Sequence, residues 1–298
     1  MTDFARTKAV ERYQATRPDL EHQLAFFTKL WAIQDEFEGK AVQYSPAGAH
    51  EARTALVQHR TLLSLVRPDV PLDAYRDAVR AIAVLMANDA GLGEEQAAAL
   101  ADSDLGAAVS GEALAGALSG FDVFVTSVAA SLDDARLSEP LLSFILTEAM
   151  TPFLRKAAKA AVASAGSFDW LQWDSGLCPS CGTPASSGIV RDEGNLQGGR
   201  RWLSCPVCRT QWEYPRLRCA RCGSRAHQDL EYLYDTEDQG HRIHLCASCH
   251  GYTPVAFEKE LGVIGVPEVE EVTMIRLETV AAERGFTPLG DDTSPVAH

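Results

Sequence analysis

The stretch CPVCRTQWEYPRLRCARC, residues 205–222, contains two C-x-x-C pairs separated by ten residues. The fold turns on whether those pairs belong to one metal site or to two. Reading outward, Cys178/Cys181 lies upstream and Cys246/Cys249 downstream, so the chain's eight cysteines form four such knuckles. Each cysteine of the first four has a counterpart 41 residues further on, as Cys178 has Cys219 and Cys208 has Cys249. The offset also carries Gly182 onto Gly223, Gly199 onto Gly240 and Arg201 onto Arg242. This is an internal duplication of one unit.

A C-x-x-C turn brings two sulfurs to one side of a tight loop whose backbone N–H groups point at them, and two facing turns complete a tetrahedral four-sulfur site. The repeat predicts pairing within units, Cys178/Cys181/Cys205/Cys208 and Cys219/Cys222/Cys246/Cys249. Cross-bracing would strand residues 209–218 between interleaved sites. Within a unit 23 residues separate the knuckles, room for a hairpin. Gly182 and Gly223, each just after a second cysteine, suit a backbone position with positive φ. Such sites hold zinc, which stabilises small modules by about 10–16 kcal/mol in peptide systems, or a rubredoxin-like iron that exchanges one electron. Both metals remain open on spacing alone. The segment Cys246-Ala-Ser-Cys249-His250 also matches a haem-attachment pattern, but its repeat equivalent carries Arg209 in place of His250, which speaks for the metal knuckle.

The other cysteine-free residues read differently. Residues 1–167 are rich in Ala and Leu, and Leu20, Leu24, Phe27 and Trp31 step along one helix face after Pro18, so this part is expected to be an all-helical domain. Further helices are expected near 50–66, 72–89, 94–102, 110–132 and 138–165. Pro152 should kink the last of these or start a new helix capped by Thr151. Trp31 and Phe27 are core residues on the plain reading, or the lining of a groove for a partner peptide. The expected fold class is α plus small β: the helical domain, rubredoxin-like or zinc-ribbon modules at 168–213 and 214–262, a C-terminal helix at 263–286 that packs back on the protein, and a flexible tail at 287–298.

The net charge of −14 and pI near 5.0 oppose general attraction to polyanions. A mean hydropathy of −0.10 suits a globular chain, and the charged start, with no apolar run of about 18 residues, predicts a cytoplasmic protein. That compartment favours metal ligation over disulfides. Residues 178–250 carry nine arginines against eight acidic residues, and thiolate-bound metals would make the region neutral to acidic. Trp202, Trp212 and Tyr214 alternate with Arg200, Arg201, Arg216 and Arg218. They read as a stacking surface for bases, as a protein-recognition patch, or as a tryptophan packed beneath a ribbon with solvated arginines.

With its four knuckles after an Ala/Leu-rich half, the segment RWLSCPVCRTQWEYPRLRCARCG at 201–223, and Pro152-Phe153-Leu154-Arg155, the chain resembles the FdhE family of formate dehydrogenase accessory proteins. Gln211 stands where that family commonly has Glu. The resemblance implies a cytoplasmic factor that binds the catalytic subunit of formate dehydrogenase and is needed for its activation, with iron plausible at all eight cysteines. Trp212 and Arg216, shared with the family between the central knuckles, are the candidate partner-binding residues. The sequence lacks G-x-S-x-G, H-E-x-x-H and P-loop patterns, and His227, His241, His244 and His250 form no base-nucleophile arrangement, so a binding protein is expected rather than an enzyme. The alternative is a zinc-ribbon nucleic-acid-binding protein, for which the acidic balance is unfavourable.

Overall fold

The structure, a computed structural model, describes residues 2–118, 120–192 and 198–291. The Ala/Leu-rich half forms helices throughout: α1 (Thr2–Thr16), α2 (Glu21–Glu38), α3 (Ala49–Val57), α4 (Leu62–Leu65), α5 (Leu72–Asp89), α6 (Glu94–Asp102), α7 (Leu105–Ala108), α8 (Gly111–Gly116), α9 (Phe121–Leu132) and α10 (Glu139–Ala165). Short polar caps set some of the boundaries. Asp104 and Ser110 accept from the backbone N–H groups of Ala107 and Ala113 at 3.0 and 3.1 Å, which satisfies donors that a helix start leaves free.

Pro152 starts no new helix, because α10 runs on through it from Glu139 to Ala165. Thr151 is not a cap; its hydroxyl donates to Thr147 O at 3.2 Å within the helix. Proline removes the donor that would have reached the Glu148 carbonyl. Gln34 Nε2 of α2 donates to that carbonyl at 3.1 Å and to the Glu148 carboxylate at 2.6 Å, so a neighbouring helix supplies the missing bond.

The helix face read at Leu20, Leu24 and Trp31 is buried, with Phe27 packed beside it. Its cover comes from the far end of the chain. A single C-terminal helix was expected; instead a short α11 (Glu258–Leu261) precedes α12 (Pro267–Thr273) and α13 (Ile275–Glu283), and Val269 and Val272 of α12 close over Trp31 and Tyr13. The break falls at Met274, just after Thr273 turns its hydroxyl onto Glu270 O at 2.7 Å. Trp31 is therefore core and lines no open groove.

Both repeat units are three-stranded. The first contributes β1 (Ser187–Arg191), β2 (Arg200–Ser204) and β3 (Gln211–Tyr214), the second β4 (Leu230–Asp235), β5 (Asp238–Cys246) and β6 (Gly251–Phe257). They are not two separate modules. One six-stranded sheet has the order β3-β2-β1-β6-β5-β4, antiparallel within each unit and joined by parallel pairing of β1 with β6, Gly188 opposite Val255. The first unit is also tied to the helices: the N–H groups of Leu62 and Leu63 in α4 donate to Pro179 O and Ser180 O, both at 2.9 Å. Cys178, Cys205, Cys208 and Trp212 sit in the same apolar core as the helical residues.

The expected frayed tail starts out fixed. Thr287 N donates to His250 O at 2.8 Å and Asp291 N to Cys249 O at 2.7 Å, which straps residues 287–291 over the last knuckle; the rest of the tail lies outside the described residues. Among the described residues, no helix is long and apolar enough to cross a membrane.

Candidate metal centres

The knuckles share one local conformation. Gly182 N donates to Cys178 O at 2.9 Å and Gly223 N to Cys219 O at 3.1 Å. The residue after each second cysteine has positive φ: Gly182 at 86°, Gly223 at 73°, and also Arg209 at 57° and His250 at 49°. A residue with a Cβ pays about 1–2 kcal/mol there, so Arg209 and His250 occupy a shape that their side chains do not favour. Backbone donors point at sulfur as the turn requires: Ser180 N to Cys178 Sγ at 3.4 Å, Cys208 N to Cys205 Sγ at 3.4 Å, and Arg221 N to Cys219 Sγ at 3.3 Å.

The sulfurs gather within units, as the repeat predicts. Cys178, Cys181, Cys205 and Cys208 form one quartet and Cys219, Cys222, Cys246 and Cys249 the other, with all sulfurs of each within 4.8 Å of one another. Cross-knuckle distances are 3.5 Å (Cys178 to Cys208) and 3.4 Å (Cys181 to Cys205) in the first, and 3.8 Å for both Cys219 to Cys249 and Cys222 to Cys246 in the second. An ion bonded at about 2.3 Å to four tetrahedral sulfurs sets them about 3.8 Å apart, so both quartets fit a metal of zinc or iron size. The donor set agrees. Burial pushes the Cys178 and Cys205 thiols well above their ordinary range, whereas hydrogen bonds from the other three sulfurs hold Cys181 well below it. Four cysteine sulfurs gathered this closely, three of them on buried residues, are the donor set of a tetrahedral cation site.

The surroundings of the two quartets differ. The first is embedded between sheet and helices, with Thr183 Oγ1 3.3 Å from Cys181 Sγ and Thr210 Oγ1 3.2 Å from Cys208 Sγ. Arg209 beside it pairs with Glu148 and Glu271, both at 3.5 Å. A cavity lined by Arg155, Lys159, Cys205, Cys208, Arg209 and Glu271 opens beside this quartet. The second quartet lies under the residue 287–291 strap, where His250 Nδ1 is 2.8 Å from Asp291 Oδ2. Around it stand Arg201, Arg218 and Arg221, all buried.

Trp212 requires correction as a partner-binding residue. It is 0% exposed, its indole donates to Ser175 O at 2.9 Å, and it packs beneath the sheet, so no partner reaches it. Arg216 is half-buried and donates to Gly198 O at the rim of a small cavity that Cys219 and Cys246 also line. The Arg/Trp alternation makes no continuous basic face: Arg201, Arg218 and Arg221 are buried, Arg200 pairs with Glu213 at 3.1 Å, and Arg191 lies over Trp202 at 4.7 Å. That arrangement removes most of the support for the nucleic-acid reading.

The histidines are not ligands in either quartet. His241 is buried with Nδ1 2.8 Å from Asp238 and Nε2 2.9 Å from Glu270 and 3.1 Å from Tyr13 OH. Burial lowers its pKa, but hydrogen bonds to the two carboxylates outweigh that and raise it to about 9. His244 Nδ1 faces Arg201 at 3.1 Å, and burial holds its ring well below the usual pKa. Sequence reasoning missed Arg221, although the repeat held a signal: Arg221 occupies the place of Ser180, a cation between ligands where the first unit has a hydroxyl.

Comparison with known proteins follows the same outline. Residues 177–216 match the FdhE central domain. A protein from Aquifex aeolicus named as an FdhE homolog is 28% identical over 162 residues, 54% of this chain and 55% of its own length. Its counterpart from Stutzerimonas stutzeri is 30% identical over 155 residues, 47% of each chain. The match thus spans about half the length of these curated relatives. The crystal structure of the FdhE protein from Pseudomonas aeruginosa has the same fold, with a TM-score of 0.58 at 19% identity over 98% of this chain and 95% of that one. Central domain, curated relatives and fold agree: the chain is similar to FdhE proteins in its central domain, over about half of its length in sequence, and in fold.

Proposed function

We propose that this chain is an accessory protein that binds the catalytic subunit of formate dehydrogenase in the cytoplasm and is required for its activation. It acts as a binding protein and not as an enzyme, with one metal ion, iron or zinc, in each sulfur quartet. The observation that carries the reading is the pair of four-cysteine quartets on one continuous sheet, set in a chain whose residues 177–216 match the FdhE central domain. Iron in four thiolates supplies one-electron exchange; zinc supplies folding energy alone.

The partner surface is assigned to the segment between the central knuckles. With Trp212 buried, Arg216 remains from the sequence-based pair, and Leu217 beside it is 54% exposed. An apolar side chain flanked by a guanidinium suits the centre of a protein interface better than a nucleic-acid groove.

The test is affinity capture of the tagged chain from its native cytoplasm under nuclease treatment, followed by mass spectrometry. Enrichment of a formate dehydrogenase catalytic subunit, lost on disruption of the Cys205 and Cys219 knuckles, is the expected result. Recovery of nucleic-acid-dependent proteins alone would replace this reading with the zinc-ribbon one. A captured, active protein containing only zinc would rule out the electron-transfer step while leaving the accessory role intact.

A further inference from the structure

Among the described residues, two buried cations next to the second quartet form no ion pair with a carboxylate. Arg201 is 1% exposed and Arg221 8%. Arg201 donates to Pro215 O and Arg218 O at 2.6 Å, and lies 3.1 Å from His244 Nδ1, a ring held neutral by burial. Arg221 donates to Tyr252 O at 3.0 Å and Ala185 O at 2.5 Å. Among the described residues, neither guanidinium takes part in an ion pair, whereas Arg200, Arg209 and Arg218 of the same sheet region each do. Glu278 also faces Arg221, but it is hydrogen-bonded to Tyr252 OH at 3.4 Å and burial pushes its carboxyl up to about 7, so it gives only part of a charge at neutral pH.

A lone buried cation costs several kcal/mol, so a fold that holds two of them contains a matching negative charge. The second quartet lies where that charge is needed. Arg221 is between Cys219 and Cys222 in sequence, and its backbone N–H donates to Cys219 Sγ at 3.3 Å. Its Cγ and Cys249 Sγ crowd the same point at Gly251, 2.8 and 3.1 Å from where a Cβ would stand. Arg201 lines the same small cavity as Cys219 and Cys246. Four thiolates around a divalent ion carry a net charge of −2, which two guanidiniums cancel. The first quartet has no such pair: Ser180 stands in the place of Arg221, Arg209 and Arg155 are already matched by carboxylates, and Lys159 is exposed.

We infer that Arg201 and Arg221 are the built-in counter-charges of the Cys219/Cys222/Cys246/Cys249 centre, and that they set its hold on a divalent ion without acting on the first centre. This rests on the reading that both quartets hold metal. The two units have thus diverged in electrostatics while keeping their ligands. The counter-charge from Arg201 belongs in sequence to the first unit and acts on the second.

The test uses the full chain loaded with Co²⁺, whose thiolate absorption reports each bound ion, in equilibrium competition with a chelator. Cys222→Ser identifies which of the two binding steps belongs to the second centre. Arg221→Gln is expected to weaken that step about tenfold or more and to leave the other unchanged, while Arg221→Lys, which keeps the charge, stays near the parent. Arg201→Gln read against Arg201→Lys gives the same comparison should Arg221→Gln fail to fold. Equal losses in the Gln and Lys variants would overturn the inference, because the role would then be hydrogen bonding to Tyr252 and Ala185. No change in Gln, or a change in both steps, would overturn it as well. A parent chain that binds fewer than two ions would instead overturn the metal reading on which the inference stands.

Discussion

Gly176, two residues before the first ligand, meets the second unit at closer range than any side chain allows. A Cβ there would lie 1.7 Å from Ala220 O, the carbonyl between Cys219 and Arg221. Gly176→Ala is therefore expected to lower stability by about 3 kcal/mol or more, through forced backbone movement, as read from the shift of the urea midpoint. A loss below about 1 kcal/mol would show that the two knuckles have slack between them. No sequence signal marks Gly176, since its counterpart at offset 41 is Leu217 and the contact arises only when the two units meet. The cysteines were legible for the opposite reason: their spacing repeats, and sulfur geometry leaves few ways to satisfy it. Trp212 misled because an aromatic among arginines looks the same in sequence whether it faces solvent or lies beneath the sheet.

Elements depend here on bonds from outside themselves. Helix α10 passes Pro152 because Gln34 of α2 takes the Glu148 carbonyl, and the same amide supports a carboxyl that burial pushes upward. Gln34→Leu leaves the Glu148 carbonyl without its side-chain donor and the carboxylate with Arg209 alone, and is expected to cost about 1–3 kcal/mol by urea denaturation, more than a comparable change on an exposed helix face. His241 of β5 works in a similar way across three elements, holding Asp238 of its own strand, Glu270 of α12 and Tyr13 of α1. Its folded-state pKa is raised, from an ordinary 6.5 to about 9. The stability it contributes is thus complete below about pH 6.5 and is lost as pH rises through about 9. The unfolding free energy from urea melts should fall over that window by about 3 kcal/mol in the parent, and the fall should flatten in His241→Gln. Equal slopes in both proteins would remove His241 as its cause. The helical character of this half was readable from its Ala/Leu periodicity, as were the bounds of α5, α6 and α10, whereas the segments expected at 50–66 and 110–132 each divide into two helices and α1 and α7 carried no signal that set their bounds. The crossing of Pro152 was not readable, because the compensating donor, Gln34, lies 114 residues before the Glu148 carbonyl it reaches.

At the scale of the whole molecule, the two quartets differ in what they hold up. The first shares its core with the helices, and the second lies in a smaller cluster with Cys222 and Leu230 at its margin. Cys178→Ser should cost one ion per chain and lower the melting temperature of the entire protein, whereas Cys222→Ser should cost one ion with a smaller loss. Metal analysis beside calorimetry checks both, and a larger loss in Cys222→Ser would reverse the assignment. The sequence repeat announced two units but concealed their union, because hydrogen bonds between strand backbones leave little trace in side chains. That union has a further consequence for how the chain is made. On the ribosome, β1 emerges well before its neighbour β6, and until residues 251–257 follow it one edge of the nascent sheet has no partner. The first half of the duplication thus spends part of its synthesis as a docking edge for the second, and a stall between the two would leave that edge open to another chain.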